Sequence, residues 1–274
     1  MPMTALWLLR LATWLALEKP PPPPETVRVA TIAYPGGSPS DYGCKNDFCA
    51  FDLLIRAAKD AGAAVVVTPE YATPQHDGEP RVAVGQHPSK LTAPTQAYFA
   101  ALADELDLYL AIDVETENAL EQGFNSLVVF DPRGVLVARH DKIELFEGER
   151  QTLQPGQDVH TLDTPYGRFG MLICADLYTE PAIHRALIEE HEAQIILVSA
   201  AWTVPLATQW QAAFARDWDV YVVAANASLG SGRGGGVFDP RGRAVARPGP
   251  LRHTMLADIP VAPIEGFAGS YDPQ

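Results

Sequence analysis

The chain has 274 residues, 47% apolar and 20% charged, which is enough for one large domain or two small ones and ordinary for a packed globular core. Its formal net charge of −14 argues against a nucleic-acid partner, because phosphate binding needs a basic face. No glycine-rich phosphate loop of the Walker or Rossmann kind is present.

Residues 4–17 are strongly apolar, with Arg10 in their middle. They are short for a membrane span, and a charge at mid-bilayer costs about 2.5–3.5 kcal/mol. A signal peptide carries its positive charge before the apolar run and ends at a small-residue cleavage site, and neither holds here. The segment reads as a poor signal, an amphipathic anchor or a mis-set start, and it is the one stretch expected to touch a membrane. Five prolines at 20–24 then form a semi-rigid spacer. The chain accordingly divides into an apolar N-terminal segment with its polyproline linker, 1–25, and a folded domain, 26–274.

Residues 27–34 alternate and are β-branched, so they read as a strand. Residues 35–47 form a loop containing Cys44, and Cys49 follows closely. These two cysteines either close a small disulfide in an exported protein or remain separate thiols in a reducing compartment. The apolar N-terminus and this pair lean toward export or membrane association, while Arg10 and the missing cleavage site lean the other way. No cysteine has partners at zinc-site spacing, so no metal is expected.

Residues 48–61 have helical periodicity, with Phe51, Leu54, Ile55 and Ala58 on one face. The valines at 65–67 then read as a buried strand that Pro69 ends, which leaves Glu70 at its carboxyl end. Residues 73–90 read as loop, 95–106 as helix, and 108–114 and 124–130 as strands. The turn Asp131-Pro132-Arg133-Gly134 leads to a returning strand, 135–139, and then to His140, Asp141 and Lys142. An apolar strand over 168–174 delivers Cys174 to a turn and to a helix over 180–190. Residues 193–199 and 220–225 read as strands flanking a helix over 206–218. A second hairpin is expected at 235–247, around Asp239-Pro240-Arg241-Gly242. Alternating helix and buried strand in both halves indicates an α/β layered fold. The repeated Asp-Pro-Arg-Gly turn hints at an internal duplication.

Glu70, Lys142 and Cys174 thus stand at the ends of three different strands. Singly, each has a bland explanation: a surface carboxylate, a solvated lysine, a core cysteine. Together they supply a base, a fixed cation and a nucleophile. A free thiol is only about a few per cent thiolate at pH 7, so a carboxylate that takes its proton during attack is useful. Lys142 offers positive charge where an oxyanion develops, and the N–H of Ala175, just past the cysteine, is a second donor.

The segments Val66-Val67-Thr68-Pro69-Glu70-Tyr71, Arg139 to Phe146 and Gly170 to Asp176 occur in the order that resembles the nitrilase superfamily of carbon–nitrogen hydrolases. Ser199-Ala200-Ala201-Trp202 and Ala224-Ala225-Asn226 agree, and the resemblance covers about residues 26–260. Leu145-Phe146-Glu147-Gly148-Glu149, Asp163 to Gly170, Ala201-Trp202 and Ser231-Gly232 look most like its biotinidase and vanin branch, although that branch usually carries extra C-terminal sequence. The resemblance implies an α-β-β-α sandwich, two mixed sheets face to face with helices outside. It implies a thiol amidohydrolase for a small-molecule amide, pantetheine-like or biotinyl, with Cys174 as nucleophile, Glu70 as base and Lys142 as oxyanion partner. A second glutamate after the lysine, Glu149 or else Glu147, would position both. Tyr71, Tyr178 and Trp202 are candidates to line the pocket, although a core side chain is the plainer reading of each. Asp176 reads as a structural helix cap and His140 as a hairpin-edge side chain. No cofactor is required, and a homodimer is expected by analogy. Two rival readings stay open: an acyltransferase using the same thioester, and a non-catalytic ligand-binding member.

Overall fold

The computed structural model describes residues 25–35, 37–45, 47–70, 93–118, 120, 122–204, 206–227, 235–261 and 264. The apolar segment 4–17, the proline run, Tyr71, the loop at 73–90 and Ser231-Gly232 lie outside them.

Strands β1 (Thr26–Ile32), β2 (Val65–Val67) and β3 (Tyr109–Glu117) run parallel, because helices α1 (Asp47–Asp60) and α2 (Ala93–Leu106) carry the chain back between them. β4 (Gly123–Phe130) and β5 (Leu136–Asp141) extend this sheet antiparallel on one side. A second sheet holds β6 (Thr161–Thr164), β7 (Gly167–Ile173), β8 (Ile195–Ala200), β9 (Tyr221–Asn226) and β10 (Gly236–Phe238). Its outer face carries α3 (Pro181–Arg185), which runs on into a π-turn at Ala186–Glu190, and α4 (Ala207–Trp218). β11 (Arg247–Pro248) and β12 (Thr254–Pro260) return the chain to the first sheet, where β12 pairs with β1 along seven residues.

The period-2 pattern decides which sheet face goes where. Val29, Val65, Val67, Ala111, Leu127 and Val129 point between the sheets and meet Phe169, Met171 and Leu197. Ala30, Ile32, Val66, Leu110 and Val128 point outward, against Phe51, Leu54, Ile55 and Ala58 of α1 and Phe99 of α2. Both faces of the central strands are therefore buried, which is why they are continuous apolar runs. Two sheets face to face with helices outside is the layering expected from the resemblance.

The expected elements form with shifts of up to three residues, with three differences. β6 and β12 were not anticipated. The second hairpin lacks its returning strand: beyond the turn only an isolated bridge joins Phe238 to Ala244, and Arg247 pairs with β12 instead. Residues 243–245 are exposed, so no apolar face pins them into the second sheet. Cys44 and Cys49 are disulfide-bonded.

The two Asp-Pro-Arg-Gly turns share one construction. Asp131 Oδ1 accepts the N–H groups of Arg133 and Val135 at 2.9 and 2.9 Å, and Asp239 Oδ1 those of Arg241 and Arg243 at 3.0 and 2.9 Å. Each turn follows a helix, a strand and an antiparallel strand, α2-β3-β4 in one half and α4-β9-β10 in the other, so the repeat is one of topology. Gly134 and Gly242 adopt φ of +70° and +72°. A Cβ on Gly134 would stand 2.4 Å from the Ala100 carbonyl oxygen of α2, and one on Gly242 2.5 Å from that of Ala212 in α4. Either glycine replaced by alanine is expected to cost about 1–3 kcal/mol of stability, read as a lowered denaturation midpoint. An unchanged midpoint would mean that the helix and turn move apart at no cost.

Candidate active site

Three strand ends converge where the sheets meet. β2 gives way to Thr68 and Pro69, and the Ser199 hydroxyl donates to the Thr68 carbonyl at 2.7 Å. The N–H of Glu70 reaches the Ala200 carbonyl at 3.3 Å, so the first sheet's glutamate is tied to the second sheet's strand β8. Lys142 follows β5 directly, its N–H on the Asn125 carbonyl and its own carbonyl accepting from Gly156, both at 2.8 Å. Cys174 follows β7 and opens a 3-10 turn, Cys174–Leu177.

Cys174 has φ of +47°, a left-handed conformation that a non-glycine residue avoids. Such strain persists only when the surroundings over-determine it. Here Asp176 supplies the constraint. Its fully buried carboxylate accepts the N–H groups of Ile173 (3.1 Å), Ile143 (3.1 Å) and Glu144 (2.7 Å), and His140 Nε2 pairs with it at 3.0 Å. Asp176 is thus structural as expected, but it clamps the cysteine turn to the lysine segment rather than capping α3. His140 is fully buried, not a hairpin-edge side chain.

Within this frame the side chains meet. Lys142 Nζ donates to Glu70 Oε1 at 2.6 Å and to both carboxylate oxygens of Glu149 at 2.9 and 2.9 Å. Glu70 and Lys142 are 2% and 1% exposed and Cys174 is 4% exposed. The Cys174 thiol stands beside the Glu70 carboxylate, near enough for each to shift the other's proton affinity, and the Ala201 N–H is close to both. That same N–H donates to Glu70 Oε2 at 3.0 Å. Glu149, on the 3-10 turn Glu149–Gln151, is the glutamate in contact with the lysine, and Glu147 is exposed. Ala175 is buried, its N–H at the head of the 3-10 turn where no carbonyl of the turn reaches it.

Asn125 is the member that sequence reasoning missed. Its Nδ2 donates to Glu70 Oε1 at 2.9 Å and to Glu149 Oε1 at 3.4 Å, tying the two carboxylates together. The available signal was a polar residue on the inward face of β4, in register with Leu127 and Val129. Asn226 is a second. Its side chain accepts the Trp202 N–H at 2.6 Å and donates to the Trp202 carbonyl at 3.1 Å, fixing the backbone just past the Ala201 N–H. Trp202 itself is 4% exposed and packs in the core, yet its ring lies 6.2 Å from that of Tyr178 at the mouth.

The charges follow from burial. Burial, the largest influence, lifts the Glu70 pKa above 4.5; Lys142 pulls it back and Glu149 adds to the rise. Burial and then Glu70 push the Cys174 thiol well above its ordinary 9.0, against the opposing pull of Lys142. For Lys142 burial opposes the charge, but Glu70, Cys174 and Glu149 outweigh it and hold the ammonium above its ordinary 10.5. The resting thiol therefore keeps its proton, beside a carboxylate that can take it, while a fixed cation waits alongside.

The carbon–nitrogen hydrolase family model matches residues 48–268. The chain belongs to the carbon–nitrogen hydrolase family. This family member is 29% identical to the pantetheinase of Mus musculus over 222 residues, covering 68% of this chain and 43% of that protein. The chain thus spans less than half the length of the pantetheinases it matches, relatives that the vanin-like resemblance anticipated. It is 27% identical to an omega-amidase of Saccharomyces cerevisiae, covering 89% of this chain and 90% of that one. Among solved structures, a Saccharomyces cerevisiae protein of branch 10 of the nitrilase superfamily shares the fold at a TM-score of 0.67 and 24% identity, covering 86% and 90% of the two chains. An amidase from Nesterenkonia sp. does so at a TM-score of 0.69 and 19% identity, covering 86% and 92%.

Proposed function

We propose that this carbon–nitrogen hydrolase is a thiol amidohydrolase that cleaves linear amides through a Cys174 acyl-enzyme. The observation that carries the reading is the burial of Glu70 beside the Cys174 thiol with its carboxylate bonded to the Lys142 ammonium. As Sγ attacks the amide carbonyl, its proton passes to Glu70. The carbonyl oxygen becomes an oxyanion, met by Lys142 Nζ and the Ala175 N–H. The bidentate contact with Glu149 lets Lys142 turn one N–H to the oxyanion while keeping an ion pair. Collapse breaks the carbon–nitrogen bond, and Glu70 returns the proton to the departing nitrogen. Glu70 then takes a proton from water, which attacks the thioester and releases the carboxylic acid and the thiol. Donors aimed at a developing oxyanion contribute roughly 2.7–4 kcal/mol each.

A pantetheine-like or biotinyl amide is the leading substrate, supported by the pantetheinases among the relatives. The Cys44–Cys49 bond supports a place in an oxidising compartment, where such bonds persist. The test is acid and amine release from a panel of amides differing in acyl group, with hydroxylamine added in parallel. Acid as the main product supports hydrolysis. Hydroxamate in preference to acid at low hydroxylamine favours the acyltransferase. No turnover of any amide sinks the reading.

The pH dependence follows from the charges. Glu70 must be ionised to accept the thiol proton, and its pKa is raised, so kcat/KM is expected to fall on the acid side with a midpoint above 4.5. Lys142, held above 10.5, keeps its charge through neutrality and adds no limb there. An activity still at its plateau at pH 4 would remove Glu70 from the role of base.

A further inference from the structure

Three aromatic rings gather beside the turn that Cys174 opens. Tyr178 closes the 3-10 turn that begins at Cys174, its N–H on the Ala175 carbonyl at 3.1 Å. Burial first, then the nearby Cys174, with Glu70 and Glu149 adding and Lys142 opposing, pushes its phenol up to about 12. Its hydroxyl therefore stays neutral. Trp210, in the first half of α4, packs its ring on Tyr178 with centroids 4.6 Å apart and 35° between planes. It meets Trp202 edge-on at 6.0 Å and 83°. The Trp202 indole N–H is buried and has no hydrogen-bond partner among the described residues.

Two further facts bear on what these rings receive. The Lys142 ammonium is already paired with two carboxylates, so it offers no surplus positive charge to a substrate carboxylate. The buried cluster also carries two carboxylates against one ammonium, which repels a second anion brought beside it.

We propose that Trp210 is a specificity-determining residue: stacked on Tyr178, it maintains an aromatic wall that selects amides whose group beside the scissile carbonyl is apolar and uncharged, against amides carrying a carboxylate there. Aromatic faces contribute through apolar area and ring contacts, which an anion cannot use. This inference rests on the amidohydrolase reading and extends it to the acyl group.

The experiment compares hexanamide, butyramide, acetamide and succinamic acid, each as the primary amide and the N-(2-hydroxyethyl) amide, on the full chain. The wild type is expected to prefer butyramide to succinamic acid, which has the same chain length. Trp210→Ala should lower the ratio of kcat/KM for hexanamide over acetamide by about tenfold, as expected for lost pocket contact, with the change mainly in KM. Trp210→Phe should restore most of that ratio. A preference for succinamic acid, or a Trp210→Ala variant that loses kcat alike for every amide, overturns the wall while leaving the amidohydrolase standing. A wild type that releases acid from none of them overturns both.

Discussion

Cys174→Ala is expected to lower kcat/KM for any amide substrate by a factor on the order of 10⁶, the scale on which a covalent nucleophile is lost from a hydrolytic triad. The effect is large because the remaining groups cannot substitute. Glu70 has a proton to take only if a thiol or water is held against it, and Lys142 stabilises an oxyanion only after attack. The fold should survive. Alanine at φ +47° meets the strain that cysteine already bears, and the Asp176 clamp on Ile173, Ile143 and Glu144 does not involve the sulfur. An unchanged denaturation midpoint with activity gone is thus the expected pair of results. Intact-mass measurement gives the complementary readout: substrate should add an acyl group to the wild type and nothing to the variant. A variant keeping a hundredth of the activity or more would place the nucleophile elsewhere.

Lys142→Met should damage both function and fold. Methionine occupies a similar volume but leaves Glu70 and Glu149 buried around one space without a cation. Removing one partner of a buried ion pair costs about 3–5 kcal/mol, which in a domain of this size lowers the denaturation midpoint by roughly 10 °C. Activity should fall by about 10²–10³ in kcat through the lost oxyanion donor. The stability deficit should depend on pH in a defined direction. Without Lys142 the two carboxylates lose the charge that lowers their pKa, so the folded protein holds protons more tightly than the unfolded chain. Stability then declines as pH rises from the unfolded carboxylate value of about 4.3 through the folded one. The deficit against wild type is therefore greatest near neutrality and shrinks toward pH 4. A deficit that is constant with pH would mean lost packing rather than uncompensated charge.

Much of this arrangement is legible along the chain. Val65 to Val67 and the run ending at Ile173 are continuous apolar stretches because both their faces are covered, and such strands end abruptly at Pro69 and at the Cys174 turn. A polar residue just past such an end has one place to go, the cleft between the sheets. The face of α1 that packs on the first sheet was likewise readable from a 3.6-residue period. The second hairpin misled because a turn is a local object, whereas a returning strand needs a buried apolar face, and residues 243–245 are exposed.

Asn125 and Asn226 were missed for a related reason: each acts through side chains or peptides dozens of residues away. Asn125 joins Glu70 to Glu149, and Asn226 fixes the peptide next to the Ala201 N–H. Local pattern records where a side chain leaves its own strand or helix, and so it showed the layers of the fold and offered Glu70, Lys142 and Cys174 as candidates at three strand ends. Which second glutamate touches the lysine, why Cys174 can hold a left-handed backbone, and that Trp210 meets Tyr178 were decided only by tertiary packing. Those depend on distances between segments remote in sequence, and periodicity carries no information about them.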